Sequence, residues 1–202
     1  MNDGASKYQE TEIKLYVPDP ALVEARLHAE GAVLVTPRVF ERNVRYDDDA
    51  GSLSAAHKVL RLREDERVRL TYKDEGSAQN EGPYSRFEAE VTVSEFPAME
   101  MILGKLGYQP YMIYEKYRAT YTLGGVEVLL DEMPYGNFVE IEGPGDAIMP
   151  VAERLGLSAA PRMTASYSAL FERVRASLGL TFTDLSFANF ASITVPLSAL
   201  EG

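Results

Sequence analysis

The sequence has no cysteine and only two histidines. Without cysteine, disulfide bridges and thiolate-bound metal are excluded, an absence that fits a cytoplasmic protein. His28 falls in a helical pattern and His57 precedes a basic strand; neither belongs to a histidine metal motif or a nucleophilic triad. No apolar run approaches the roughly 18–20 residues of a membrane-spanning helix, and no secretory signal is read before the first strand. Basic residues are the minority, 20 against 31 acidic, for a formal net charge of −11. That balance speaks against a general nucleic-acid binder but does not describe the inside of a cleft. Gly143-Pro144-Gly145 lacks the spacing of a dinucleotide or phosphate loop and reads as a turn before a helix capped by Asp146. What remains is an ordinary globular composition, 46% hydrophobic and 25% charged over 202 residues.

The positive signal is charge that alternates with apolar residues in extended segments. Between Lys7 and Val17, Glu10, Glu12 and Lys14 alternate with Thr11, Ile13 and Leu15. Strand side chains at i, i+2 and i+4 share a face, so two carboxylates and an ammonium form one row. The pattern recurs. Arg61 and Arg63 oppose Leu60 and Leu62; Arg67, Arg69, Thr71 and Lys73 oppose Val68, Leu70 and Tyr72. Arg86, Glu88 and Glu90 oppose Phe87, Ala89 and Val91, and Glu140 and Glu142 oppose Val139 and Ile141. Lys116, Arg118 and Asp131 add charge to two further strands. A row of cations facing one space costs stability unless anions meet it.

Element order adds a repeat. Asp19-Pro20 opens a short helix with Leu22, Val23 and Leu27 on its apolar face, ahead of Gly31 and a long strand from Val33 to Asp47. A second strand, proline-led helix (Pro97–Leu106), glycine and long strand (Tyr108–Leu123) repeat the sequence of elements. The pattern predicts a duplicated β-α-β-β-β unit. The fold class is therefore α+β: an eight-stranded antiparallel β-barrel, or tunnel, with helices packed outside, since closure removes exposed edges. Alternation leaves two orientations open. Helices over the apolar rows would turn the charges inward; the inverse arrangement has an apolar filling and solvated charge. The main domain is expected at residues 1–179. The tail, 180–202, carries Phe182, Leu185, Phe187 and Phe190 and is too apolar for a disordered end. It could cover a barrel mouth, swap onto a second subunit or pack on the last helix. The polar stretch 74–83 reads as a loop.

With those motifs in view, the chain resembles the CYTH superfamily, the triphosphate tunnel metalloenzymes. The resemblance rests on Glu-x-Glu-x-Lys at Glu10, Glu12 and Lys14, then Leu60–Arg63, Leu70–Lys73, Arg86–Glu90, Glu115–Arg118, Asp131 and Gly136–Gly143, in the family's order. It implies catalytic roles for Glu10, Glu12 and Lys14. It implies substrate binding by Lys14, Arg61, Arg63, Lys73, Arg86, Lys116 and Arg118. It implies Mg²⁺ or Mn²⁺ bound by Glu10, Glu12, Asp131, Glu140 and Glu142. Glu88 and Glu90 are either further ligands or acceptors that orient the cations.

The chemistry agrees with the resemblance. A triphosphate needs opposed cations, arginine offering a planar fork and lysine a point charge. Carboxylates in the same space would repel it unless a hard divalent cation bridges the two. The resemblance implies a metal-dependent hydrolase acting on tripolyphosphate or thiamine triphosphate. The alternatives are a class IV adenylate cyclase acting on ATP and a non-catalytic polyphosphate- or nucleotide-binding module. The expected partner is a triphosphate-bearing small molecule, not nucleic acid or a membrane, with the chain a monomer or homodimer.

Overall fold

The computed structural model describes residues 8–74, 77–78 and 83–201. Its elements are β1 (Gln9–Val17), α1 (Pro20–Ala29), β2 (Val33–Asp47), α2 (Ser52–Ala55), β3 (Val59–Glu64), β4 (Val68–Lys73) and β5 (Ser77–Ala78). They continue as β6 (Tyr84–Val93), α3 (Phe96–Lys105), β7 (Gln109–Leu123), β8 (Val126–Met133) and β9 (Gly136–Glu142). Three helices close the chain: α4 (Gly145–Arg154), α5 (Tyr167–Leu178) and α6 (Phe187–Phe190).

The sheet order is β1-β9-β8-β7-β2-β3-β4-β6, and β6 pairs back on β1, so eight antiparallel strands close in a ring. The two-residue β5 adds to β6 outside that circuit, within the stretch expected to be a loop. The rest of that stretch, apart from Asp74 and Pro83, lies outside the described residues, as does Lys7. The duplication is visible in the pairing. β1 meets β6 and β2 meets β7, each strand facing its counterpart, while β1–β9 and β4–β6 join the end of one unit to the start of the other. Gly124 and Gly125, at φ 59° and 85°, supply the two left-handed positions that a tight β7–β8 hairpin requires.

Helices cover the outer, apolar rows. Val23 and Leu27 of α1 and Ile148, Val151 and Ala152 of α4 pack with Ile13, Leu15, Val17, Val128, Leu130, Val139 and Ile141. Leu103 of α3 packs with Val44, Tyr46, Leu60 and Leu62. Asp19 caps α1, accepting from the Ala21 amide at 2.9 Å. Two details differ from expectation. Leu22 is 67% exposed, because only the Val23–Leu27 edge of α1 meets the sheet. Asp146 does not cap α4; Pro144 occupies the cap, and Asp146 sits inside the first turn, where its charge complements the helix dipole.

The third apolar cluster closes one end of the ring. Tyr167, Leu170, Phe171 and Val174 of α5 pack with Met112, Tyr114, Met133 and Phe138, and with Leu185, Phe190, Ala199 and Leu200 of the C-terminal segment. That segment lies on the same chain's β7. Leu185 exchanges backbone hydrogen bonds with Ile113 and Glu115, both at 2.9 Å. Of the arrangements expected for the tail, packing on the last helix and covering a mouth of the ring therefore coincide.

Candidate functional site

The inner rows are charged, and they surround a cavity of about 1030 Å³. Ring closure is what assembles them. Most facing pairs across neighbouring strands are opposite in sign: Lys14 faces Glu140, Glu10 faces Arg86, Lys73 faces Glu88, Arg118 faces Asp131, and Glu41 faces Lys116. Each pair offsets desolvation that neither partner could bear alone.

Two sectors break the rule. Glu142 of β9 faces Glu12 on one side and Glu127 on the other, so acid meets acid. Arg61 faces Arg45, and Arg63 faces Arg69, so base meets base. The acidic sector includes the carboxylate oxygens of Glu10, Glu12 and Glu142, which lie within 4.8 Å of one another. Burial, then the Glu140 carboxylate, pushes the Glu142 carboxyl up to about 8. Burial and Glu140 likewise raise Glu12, against the pull of Lys14. Burial alone would raise Glu10 too, but Lys73 and Arg86 hold it well below the usual carboxylate range. Three convergent hard oxygen donors with an excess of negative charge suit a divalent cation such as Mg²⁺ or Mn²⁺.

The other acids expected at the site are committed to cations. Asp131, fully buried, accepts from Lys116 Nζ at 3.1 Å, from two nitrogens of Arg118, and from the Tyr167 hydroxyl at 2.7 Å. Glu140 lies 3.1 Å from Lys14 and 2.5 Å from Arg118. Glu88 pairs with Lys73, and Glu90 accepts from Arg63 Nη2 at 3.2 and 3.0 Å and from Thr71 at 2.8 Å. The cations expected to bind substrate converge on the same space. Lys14, Arg61, Arg63, Lys73, Arg86 and Arg118 line the cavity, and Lys116 stands in the wall beside them. Burial would lower Lys14, but Glu140 and Glu12 outweigh it and keep the ammonium charged. Arg63 moves the other way: burial, then the neighbouring Arg61 guanidinium, lowers it.

Beside Arg45 and Glu127, further residues join the site without having been anticipated there. Glu41, 2% exposed, pairs with Lys116 at 3.6 Å and Arg63 at 3.4 Å. Asn43 follows it on the same row. The Tyr114 hydroxyl accepts from Arg61 at 3.0 Å, and the Tyr167 ring lies 4.4 Å below Lys14 Nζ. Glu41 and Asn43 share the period-two row of Arg45 on β2, and Tyr114 shares that of Lys116 and Arg118 on β7, so spacing could have found them; Tyr167, on α5, had no such signal.

A family model described as the CYTH domain matches residues 8–155. Among solved structures, a Vibrio parahaemolyticus protein put forward as an adenylate cyclase aligns with a TM-score of 0.71 at 18% identity, covering 81% of this chain and 97% of that one. A Pyrococcus horikoshii OT3 protein gives 0.67 at 23% identity, covering 81% and 99%. A Hippeastrum protein, put forward as an adenylyl cyclase and having a dominant triphosphatase activity, gives 0.60 at 20% identity, covering 81% and 95%. At these identities the likeness is one of fold. Among curated proteins, none matches the chain.

Proposed function

Since the chain belongs to the CYTH domain family, we propose that it is a divalent-metal-dependent hydrolase of triphosphate-bearing small molecules. The observation that supports this most directly is the pair of like-signed sectors in one cavity. Acid faces acid at Glu12, Glu142 and Glu127, and base faces base at Arg45, Arg61, Arg63 and Arg69. Glu41, Asp65 and Glu90 pair with Arg61, Arg63 and Arg69, so the basic sector is met in part, four guanidinium groups to three carboxylates, while no cation faces Glu142 across either neighbouring strand. A cation at the first sector and a polyanion at the second would complete the balance.

Glu10, Glu12 and Glu142 are the residues that would hold the divalent ion. When bound, Mg²⁺ or Mn²⁺ supplies charge neutralisation and polarisation of a phosphoryl oxygen. Arg61 and Arg63 present forked donors to the phosphate chain, and Lys73 and Arg86 add charge beside Glu10. Glu140 keeps Lys14 protonated at Nζ and directed into the cavity, where it can stabilise charge on the group being transferred. Asp131 fixes Lys116 and Arg118 rather than contributing to the metal set. Closure of one end by α5 and the tail limits water entry to the other side.

Hydrolysis is preferred to cyclisation because the lining offers little for a nucleobase. Among the described residues, the lining tyrosines are engaged: Tyr114 by Arg61, Tyr167 by Asp131, Tyr8 by Phe87, and Tyr84 by the Arg86 guanidinium 5.8 Å from its ring. The test is incubation of purified protein with tripolyphosphate, thiamine triphosphate and ATP, each with Mg²⁺ or Mn²⁺. Phosphate release from tripolyphosphate or thiamine triphosphate is the expected result. Cyclic AMP from ATP without such release would make the protein a cyclase. Metal-free binding of tripolyphosphate with no turnover when metal is added would make it a binding module.

A further inference from the structure

Asn43 is fully buried, and neither its Nδ2 nor its Oδ1 has a hydrogen-bond partner among the described residues. A buried amide left unpaired is costly, and native chains rarely keep one without a use. Its surroundings repeat the same deficit. The Nε groups of Arg61 and Arg63 are also buried and without a hydrogen bond among the described residues, Arg63 Nε having only the Asp65 carboxylate at 3.9 Å. In Arg61, Nη1 goes to Tyr114 and Nη2 to Thr71, each at 3.0 Å, which leaves Nε over. Register puts these groups together. Asn43 faces Arg63 on β3 and Tyr114 on β7, and its row neighbours Glu41 and Arg45 line the cavity, as do Arg61, Arg63 and Tyr114.

We propose that Asn43, together with the Nε–H groups of Arg61 and Arg63, seats one phosphoryl group of the bound polyanion on the β2–β3 wall. This rests on the reading of the cavity as a polyphosphate site and assigns one part of it. β2 lies opposite β1 in the ring, four strands away by either route. The seat is therefore across the cavity from Glu10 and Glu12, and it holds the phosphoryl group far from the acidic sector. Charge favours an anion over a water molecule as its occupant. Glu41, Asp65 and Glu90 pair with Arg61, Arg63 and Arg69, but with Arg45 the sector holds four guanidinium groups to three carboxylates, an excess that water would leave unmet. A neutral amide suits the position because it donates without adding a further cation to the crowd. It can also accept from a protonated phosphoryl oxygen.

The test uses the full-length protein, tripolyphosphate as the probe and no divalent metal, so that binding is read without turnover. Asn43→Ala and Asn43→Leu remove the amide. Both should raise the dissociation constant about ten- to a hundredfold, the size of a hydrogen bond to a charged group. Asn43→Leu should also leave the unliganded melting temperature unchanged or raise it by roughly 2–4 °C, because an orphaned polar group has gone. A lowered melting temperature in both variants with an unchanged dissociation constant overturns the assignment and makes Asn43 a structural residue. Wild-type protein that neither binds nor hydrolyses tripolyphosphate would instead sink the reading of the cavity. Wild-type binding that both variants retain sinks only the role given to Asn43.

Discussion

Arg118 grips Asp131 with two nitrogens, Nε at 2.6 Å from Oδ1 and Nη2 at 2.5 Å from Oδ2. The carboxylate is wholly buried, and it also accepts from Lys116 and Tyr167. One acid therefore anchors two cations of the cavity wall and the first residue of α5. Cations held this way are positioned before any polyanion arrives, which reduces the ordering cost of binding.

Asp131→Ala should destabilise the fold. It leaves Lys116 and Arg118 buried with less opposing charge, and breaking a buried pair from one side costs about 3–5 kcal/mol. Glu140 remains 2.5 Å from Arg118, so the lower end, about 3 kcal/mol, is expected. Thermal unfolding should show a drop of roughly 6–12 °C in melting temperature. A melting temperature within a degree or so of wild type would mean that Asp131 is not the anchor.

Metal-free protein should lose stability as pH rises from about 4.5 toward about 8. The Glu142 carboxyl is pushed up to about 8 by burial, then by Glu140, so the folded chain holds its proton where the unfolded chain, at the ordinary 4.5, has released it. In that window the native state binds more protons, and each step up in pH favours unfolding. Glu12 is raised as well and adds to the slope. Glu10 is held low, so its contribution is already complete above 4.5 and does not oppose the trend. A cation at the cluster must displace the proton. Mn²⁺ should therefore raise the melting temperature more at pH 8.5 than at pH 6, with proton release seen by calorimetry in buffers of different ionisation enthalpy. Equal stabilisation at both values would place the metal elsewhere.

Much of this was legible in the residues, and the gaps have physical causes. The Glu10-Glu12-Lys14 row, the basic hairpin and the repeated element order led to a ring of eight strands because period-two alternation survives in any strand context. Which row faces inward did not follow. Alternation is symmetric, and only the apolar faces of α1, α3 and α4 meeting Ile13, Leu15 and Leu62 decide it. Glu41 was in reach, because it stands two and four residues before Asn43 and Arg45 in the long strand expected from Val33 to Asp47. The separation of the acids into a converging trio and a set tied to cations was not in reach. It depends on register: Glu142 lands beside Glu12, while Glu140 lands beside Lys14. Tyr167 and Asp131 are 36 positions apart, and only the packing of α5 over the ring end joins them.

Arg63→Lys should separate charge from shape. Arg63 reaches Glu90 with Nη2 and Glu41 with Nη1, which a single ammonium cannot span. Lysine keeps the positive charge, so the fold should survive with a small change in melting temperature. Affinity for tripolyphosphate should fall about tenfold, one good hydrogen bond to a charged group. Unaltered affinity would show that the planar fork of Arg63 is not used by the ligand.

Leu185→Ala tests whether the tail reaches the site. Leu185 is fully buried between α5 and β7, and removing its side chain should cost about 2–5 kcal/mol through lost burial and the cavity left behind. Its backbone bonds to Ile113 and Glu115 bracket Tyr114, and Asp184 and Phe187 add one bond each to the same two residues. Tyr114 in turn accepts from Arg61 at 3.0 Å. Loosening the tail should therefore let Arg61 reorient, so that KM for the triphosphate rises while kcat, set by groups around Glu12 and Lys14, changes little. Tyr114→Phe removes only the hydroxyl at the end of this chain of contacts and should reproduce the KM effect with a much smaller loss of stability. If Tyr114→Phe leaves KM alone while Leu185→Ala raises it, the tail acts on the site by some other route. If both leave it alone, the tail stabilises the ring end without reaching the bound polyanion, and Arg61 is held well enough by Thr71 at 3.0 Å and by Glu90 at 3.5 Å.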